Sequence, residues 1–274
     1  MFQWLYEFFG SIIKFIYETC GENYGVALII FTIVMKLLLL PLSVKQQRSM
    51  QAMQSIQPQL NELQRKYAND KDKLGRETME LYQKNKVSPF GGCLPMIFQL
   101  LILIIMVNIV YRPATYIMGL ENIAKDLNTQ ITAAKEAGMN FQFLWWNLAD
   151  RPTFTFNPTV AILISWILPL LATGATYLSG LASQKMSGAP AQSQNPSAQG
   201  GDVQQMTKSM TTMMPIMTLV FTFTLPLSAS LYWFISSITQ VLQQVILNKV
   251  LKVEKKDEGG LSYHDKRNQK RKKR

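Results

Sequence analysis

Three long stretches of this chain carry no charged side chain: between Lys86 and Arg112, between Arg151 and Lys185, and between Lys208 and Lys249. A helix crossing a bilayer needs about 20 mostly apolar residues, whereas a buried helix of a water-soluble core manages with about 10–14. Each gap exceeds the first figure, and the third is long enough for two crossings with Pro226 supplying the turn between them. A fourth apolar block, Tyr24 to Ser43, is interrupted by one charge, Lys36. Charged residues make up only 16% of the chain, against about 25% in ordinary soluble domains, so a soluble enzyme is excluded. The expected fold is an all-α polytopic membrane protein with five transmembrane helices at 24–43, 89–111, 157–179, 209–225 and 227–248.

The remaining charge sets an orientation. Residues 44–88 carry nine Lys or Arg against five acids, and residues 249–274 carry eleven against four. Residues 1–24 carry one base and three acids, and the loop 112–156 carries four of each. Since basic residues stay on the cytoplasmic side, the N-terminus is expected outside, 44–88 inside, 112–156 outside, 180–208 inside and the basic tail inside. Five spans join an external start to an internal end, in agreement with this distribution.

Residues 1–23 lack the basic n-region and small-residue cleavage site of a signal peptide. Trp4, Leu5, Phe8, Phe9, Ile12, Ile13, Phe15 and Ile16 fall near helical spacing roughly opposite Glu7, Ser11, Lys14 and Glu18. This reads as an amphipathic helix in the outer interface; a frayed extension of the first span is the alternative. Cys20 and Cys93 have no metal-type spacing and the single histidine, His264, lies in the tail. No metal site, no catalytic constellation and no cofactor is expected, and the spans hold no carboxylate for a proton relay.

In 44–88, Met53, Ile56, Leu60, Leu63 and Tyr67 recur at alternating three- and four-residue intervals, the seam of a coiled coil. Leu74, Leu81 and Tyr82 form a second stripe, so a cytoplasmic helical hairpin is expected. Pro58 should bend its first helix.

Lys36 is the costliest residue, at about 2.5–3.5 kcal/mol for a charge deep in a span. With the span ending at Ser43, it would lie roughly 10 Å from the inner end at 1.5 Å per residue. Two readings are open: the side chain snorkels to the interface, or it faces a hydrated cavity. Thr32 on the same face, Gln99 and Asn108 in the second span, and Ser236, Ser237, Thr239, Gln240, Gln243 and Gln244 in the last favour the cavity. Such a pocket would attract acidic or polar groups.

The run GVALIIFTIVMKLLLLPLSVKQQRSMQAMQSIQPQLNELQRKY, the segment LYQKNKVSPFGGCLPMIFQLLI, FLWWNL and LPLSASLYWFISSITQVLQQVIL together resemble the YidC membrane protein insertase family. The Gln57-Pro58 pair, the Pro89-x-x-Gly92-Cys93-Leu94-Pro95 run and Leu231-Tyr232-Trp233 carry the resemblance in order and spacing, across Tyr24 to Lys249. It is of the five-span Gram-positive type, without the lipoprotein signal of many such members. The resemblance implies a hydrophilic groove open to cytoplasm and lipid, with one positive charge in the first span, that draws hydrophilic outer segments of nascent membrane proteins inward and releases their apolar segments into lipid. By position, Lys36 stands where the family usually has arginine, and Gln99, Tyr232, Trp233 and Gln240 sit where groove-facing residues are found; Thr32, Asn108 and Ser236 join the expected groove from the reading of the spans above. Lysine keeps the charge and loses the planar five-donor fork. The resemblance also implies a mobile hairpin needed for activity, a bacterial cell membrane location, and nascent chains and lipid as partners, with the Sec translocon a further possible one.

The tail bears Lys266, Arg267, Lys270, Arg271, Lys272, Lys273 and Arg274. Expected to be disordered, it has two candidate partners, ribosomal RNA and anionic lipid, with the ribosome favoured by the resemblance. Residues 180–208 read as a flexible linker, most plainly in 187–201, and Met206, Met210, Met213, Met214 and Met217 as packing or as adaptable contact with varied apolar substrates. The alternative from a different class is a small anionic-solute transporter or channel; no inverted repeat supports it, and it has no use for a hairpin and a basic tail.

Overall fold

The computed structural model describes residues 3–85, 87, 94–153, 159–187, 213 and 215–259. Among them the chain is almost wholly helical. α1 (Gln3–Thr19) lies on the next helices through Ile13, Ile16 and Tyr17. Its Gly10 sits against α6, where an added Cβ would stand 2.3 Å from the Tyr116 carbonyl oxygen. Trp4, Phe8 and Phe15 point away from the body and are exposed. The helix thus has two apolar faces, one packed on protein and one left for lipid.

α2 (Tyr24–Leu38) is capped by Asn23, whose side-chain oxygen accepts the Val26 N–H at 3.2 Å. The expected first span does not run straight to residue 43. The helix stops at Leu38, bends by 56°, and resumes as α3 (Leu40–Lys66). Pro41 explains the break, since it has no N–H to give the Leu37 carbonyl and its ring would collide with that oxygen. The Leu39 N–H serves Leu37 and Met35 instead. Pro58, by contrast, lies exposed inside α3, which continues unbroken to Lys66.

α4 (Lys71–Lys84) starts at Asp70, which accepts the Lys73 N–H, and folds back on α3. Ile56, Tyr82 and Val87 form their shared core, with Met53 against it. Leu60 is buried, while Leu63 and Tyr67 are half-buried. Lys66 and Lys73 both lie over the Tyr67 ring, 5.2 Å from its centre. The negative face of the aromatic ring attracts both exposed cations.

α5 (Leu94–Tyr111) leads into what the sequence presents as a plain loop, and the structure corrects that reading. Residues 113–150 form a folded cap: α6 (Pro113–Tyr116), α7 (Leu127–Glu136) and a hairpin of β1 (Gln142–Phe143) and β2 (Trp146–Asn147), with Phe143 opposite Trp146. Fully buried Gln130 organises it, giving its amide to the Ala124 carbonyl and the Thr115 hydroxyl and accepting the Thr115 N–H. The cap then fastens four helices. Its Asn140 carbonyl accepts the Tyr24 N–H of α2, and Asn140 N–H donates to the Tyr17 hydroxyl of α1. The Trp146 indole donates to the Ile164 carbonyl of α8 (Val160–Ser187). The carbonyls of Leu148 and Asp150 take two N–H groups at the start of α10 (Leu227–Gly259), donors that a helix N-terminus otherwise leaves unpaired.

α9 (Pro215–Thr224) and α10 meet at a tight turn through Leu225 and Pro226. α8 and α10 form the broadest interface of the bundle. Their hydrogen bonds are Thr176 to Ser237 at 3.1 Å, and the Ser183–Gln244 pair at 2.9–3.1 Å. Both pairs are separated by the same 61 positions, so the two helices run parallel and touch once per heptad, the repeat of a left-handed pair. Ala172, Thr176, Ser179 and Ser183 give α8 a small-residue face, which allows close approach where helices meet in lipid.

Two boundaries move. Helix α8 carries on to Ser187, into the expected linker, and α10 carries on to Gly259, into the expected disordered tail. The segment from Lys249 to Glu258 contains neither proline nor glycine, so nothing breaks the helix before Gly259-Gly260. The remaining linker, the tail cluster from Lys266 to Arg274, and Met206, Met210 and Met214 lie outside the described residues; Met213 and Met217 are exposed.

Candidate functional site

Ending α2 at Leu38 changes the setting of Lys36. It belongs to the helix's last turn rather than its interior. Carbonyl groups of a last turn carry the negative end of the helix dipole, an arrangement worth about 0.3–1 kcal/mol to a nearby cation. Lys36 opens on a small recess, about 30 Å³ in volume, lined by Phe9, Phe31, Thr32, Met35, Leu39, Ile102, Ile105, Met106 and Tyr232. No acidic side chain lines it.

The structure brings Lys36, Thr32 and Tyr232 together at this recess and disperses the other expected groove residues. Thr32 turns its hydroxyl to the Leu28 carbonyl at 2.6 Å, so its donor is spent within α2. Asn108 likewise donates to Ile104 in its own helix. Trp233, next in sequence to Tyr232 and so about 100° around the helix, packs with Val110, Ala172, Leu225 and Ala229 and stacks on Phe221. Ser236 is buried and Gln240 half-buried on α10, neither lining the recess. The side chain of Gln99, and Cys93, lie outside the described residues. The walls of the recess are therefore mostly apolar, and its polarity is concentrated in one ammonium and two hydroxyls.

Sequence reasoning assigned the amides and hydroxyls of the last span to the cavity. Several of them serve helix pairing instead: Ser237 and Gln244 bond to α8, and Asn248 accepts from Gln51 of α3 at 3.2 Å. That last bond ties the hairpin base to α10. Heptad spacing of Ser237 and Gln244, matched by Thr176 and Ser183, was the available signal. Gln243 buries its amide nitrogen with no partner among the described residues.

Stripes of large apolar side chains remain exposed on the outside of the bundle: Leu163, Ile167, Leu170 and Leu178 on α8, Ile238, Leu242 and Ile246 on α10, Ile33 and Leu37 on α2. No aqueous surface tolerates several such stripes side by side. Val160–Ser183 is moreover long and apolar enough to cross a bilayer, with mean hydropathy 1.8. The fold thus defines a helical integral membrane protein, with Lys36 beside a mostly apolar recess.

The profile of the family described as 60Kd inner membrane protein matches residues 15–256. Membrane protein insertase YidC of Fusobacterium nucleatum is 33% identical over 250 residues, covering 90% of this chain and 98% of that protein. Membrane protein insertase YidC of Caldanaerobacter subterraneus is 35% identical over 251 residues, covering 90% and 96%. Membrane protein insertase MisCA of Bacillus subtilis is 31% identical over 242 residues, covering 87% and 75%. The chain belongs to this YidC family of membrane protein insertases, integral to the bacterial cell membrane and not enzymes. Membership sets aside the solute-transporter alternative.

Proposed function

We propose that this insertase receives a hydrophilic segment of a nascent membrane protein at the recess beside Lys36 and passes the adjoining apolar segment into lipid. One observation carries the reading: Lys36 is a half-buried cation in the last turn of α2, facing a recess that offers it no carboxylate. A charge so placed is short of partners, and an acidic or polar segment entering from the hairpin end supplies them. Attraction without a bidentate grip suits lysine, a compact point charge. Contact is brief because the other walls are apolar and give the segment little to hold.

In this reading the chain crosses the membrane five times, with the cap outside and the hairpin and basic tail in the cytoplasm. The groove continues from the recess along α5 and α10, past Gln99, Asn108, Ser236 and Gln240, with Tyr232 at its closed end and Trp233 bracing α10 behind it. The hairpin, with its thin seam of Met53, Ile56, Leu60, Leu63 and Tyr67 around Pro58, moves to admit the segment. The tail, Lys266 to Arg274, docks a translating ribosome, and the Sec translocon is a further partner on some clients.

The test is insertion of a short single-span substrate with an acidic leading segment into vesicles holding the purified protein. Loss of one charge-assisted contact is worth about 1.5–3 kcal/mol, so Lys36→Ala should slow insertion about ten-fold or more while Lys36→Arg retains it. If Lys36→Ala inserts as well as the parent and Lys36→Arg gains nothing, the charged recess is not the route. For the tail, removing residues 255–274 should weaken ribosome co-sedimentation in a salt-dependent manner; unchanged sedimentation would refute docking.

A further inference from the structure

The tip of the cap hairpin is built against the rules for a turn in water. Its two residues are Leu144 and Trp145, both about two-thirds exposed, and Leu144 takes a left-handed backbone conformation with φ 55°. A bulky residue rarely adopts that conformation, and glycine, asparagine or aspartate usually fills such two-residue turns. Here the turn spends backbone strain to display a leucine and a tryptophan outward.

Their level in the molecule identifies what covers them. The neighbouring Trp146 is buried and its indole donates to the Ile164 carbonyl at 2.8 Å. Ile164 lies four residues into α8, roughly 6 Å along the helix from Val160 at 1.5 Å per residue. The hairpin therefore does not stand above the bundle; it lies beside the first turns of the one helix that is long and apolar enough to cross the membrane. Val160 and Leu163, on those same turns, are exposed as well. Tryptophan is enriched at the headgroup level, where its ring is apolar and its N–H reaches water.

We propose that Leu144 and Trp145 insert into the cap-side leaflet of the bilayer, so that the hairpin anchors the cap to lipid at a fixed depth. The buried partner Trp146 then holds the anchor to α8, while Asn23, which donates to the Gln142 carbonyl, holds it to α2. The lipid contact lies beside two helices at once and limits how far they tilt relative to each other.

The experiment attaches an environment-sensitive fluorophore to Leu144→Cys in a chain whose Cys20 and Cys93 are replaced by serine, reconstituted in phosphatidylglycerol–phosphatidylethanolamine vesicles. The same label on Trp145→Cys supplies a second site should the first variant fold poorly, and on Asn128→Cys, at the cap surface, a water-exposed reference. Lipids bearing a nitroxide near the headgroup should quench the tip labels several-fold more than aqueous iodide does, with emission to the blue of the reference. Iodide quenching and emission equal to the reference at both tip positions would overturn the proposal. So would protection that appears only when a substrate polypeptide is added, since that would make the tip a polypeptide contact.

Discussion

Gly10 separates two accounts of α1. In a helix that merely rests in the interface, replacing a mid-helix glycine by alanine gains about 1 kcal/mol from propensity. In the structure, the added methyl carbon would lie 2.3 Å from the Tyr116 carbonyl oxygen and 3.0 Å from that residue's Cβ. Even a close C···O contact needs about 3.3 Å, so the helix and α6 must part by about 1 Å. The obstacle is backbone, and no side-chain rotation relieves it. α6 is a single turn whose Tyr116 N–H is held by Arg112 and which is followed by fully buried Ile117. Overpacking of this kind costs typically about 1–3 kcal/mol, and with about 1 kcal/mol of propensity deducted the expected net loss for Gly10→Ala is up to about 2 kcal/mol. At about 2–4 °C for each kcal/mol, thermal unfolding in lipid nanodiscs, followed by tryptophan fluorescence, should fall by up to several degrees. A control at Gly75, where the added carbon meets nothing within 4 Å, should rise. If Gly10→Ala is stabilised as much as the control, α1 does not pack on the cap as described.

The paired bonds between α8 and α10 make a second prediction. In a double-mutant cycle with Ser183→Ala and Gln244→Ala, the coupling energy from unfolding in mixed micelles should be about 0.6 kcal/mol and at most about 1.7, the range for interhelical bonds in lipid; zero coupling would mean that the pair is incidental. A third concerns Asp150, whose carboxyl is raised above its usual range chiefly by desolvation against the cap, partly offset by Lys135 and by the Asn147 amide. A carboxyl with a raised folded pKa binds its proton more readily folded than unfolded. The fold is thus favoured by protonation, and stability declines as pH rises from the ordinary carboxylate value of 3.8 through the raised one. Melting followed across that window should show this slope reduced in Asp150→Asn; an identical slope would assign it to other groups.

Uncharged runs located α5, α8, α9 and the apolar part of α10 because excluding charge from lipid is a one-dimensional constraint that composition records directly. The Pro226 turn was readable because the third uncharged run is long enough for two crossings and Pro226 sits near its middle. The stop at Leu38 was not, although Pro41 was in view, because an apolar run does not record which peptide loses its hydrogen bond. The folded cap was hidden by its composition: residues 113–150 pair polar groups such as Gln130 and Asn140 over long sequence distances, which no periodicity reports. Lys36 was legible as an anomaly, and its recess was legible only in part. A serine or glutamine on a membrane helix reads alike whether it faces a cavity or a neighbouring helix, and Ser237 and Gln244 proved to face α8.

The constant offset between α8 and α10 constrains what can move. Both hydrogen-bonded pairs share one register, so a slip of one or two residues breaks the two bonds together, and the next matching alignment lies a full heptad away. At about 1.5 Å per residue that is roughly 10 Å of travel, a distance that Leu227 and Ser228, bound to the cap carbonyls, forbid. The pair works as a fixed post. In the proposed route, widening of the recess comes from the other side, where α2 ends at Leu38 and α3 begins at Leu40.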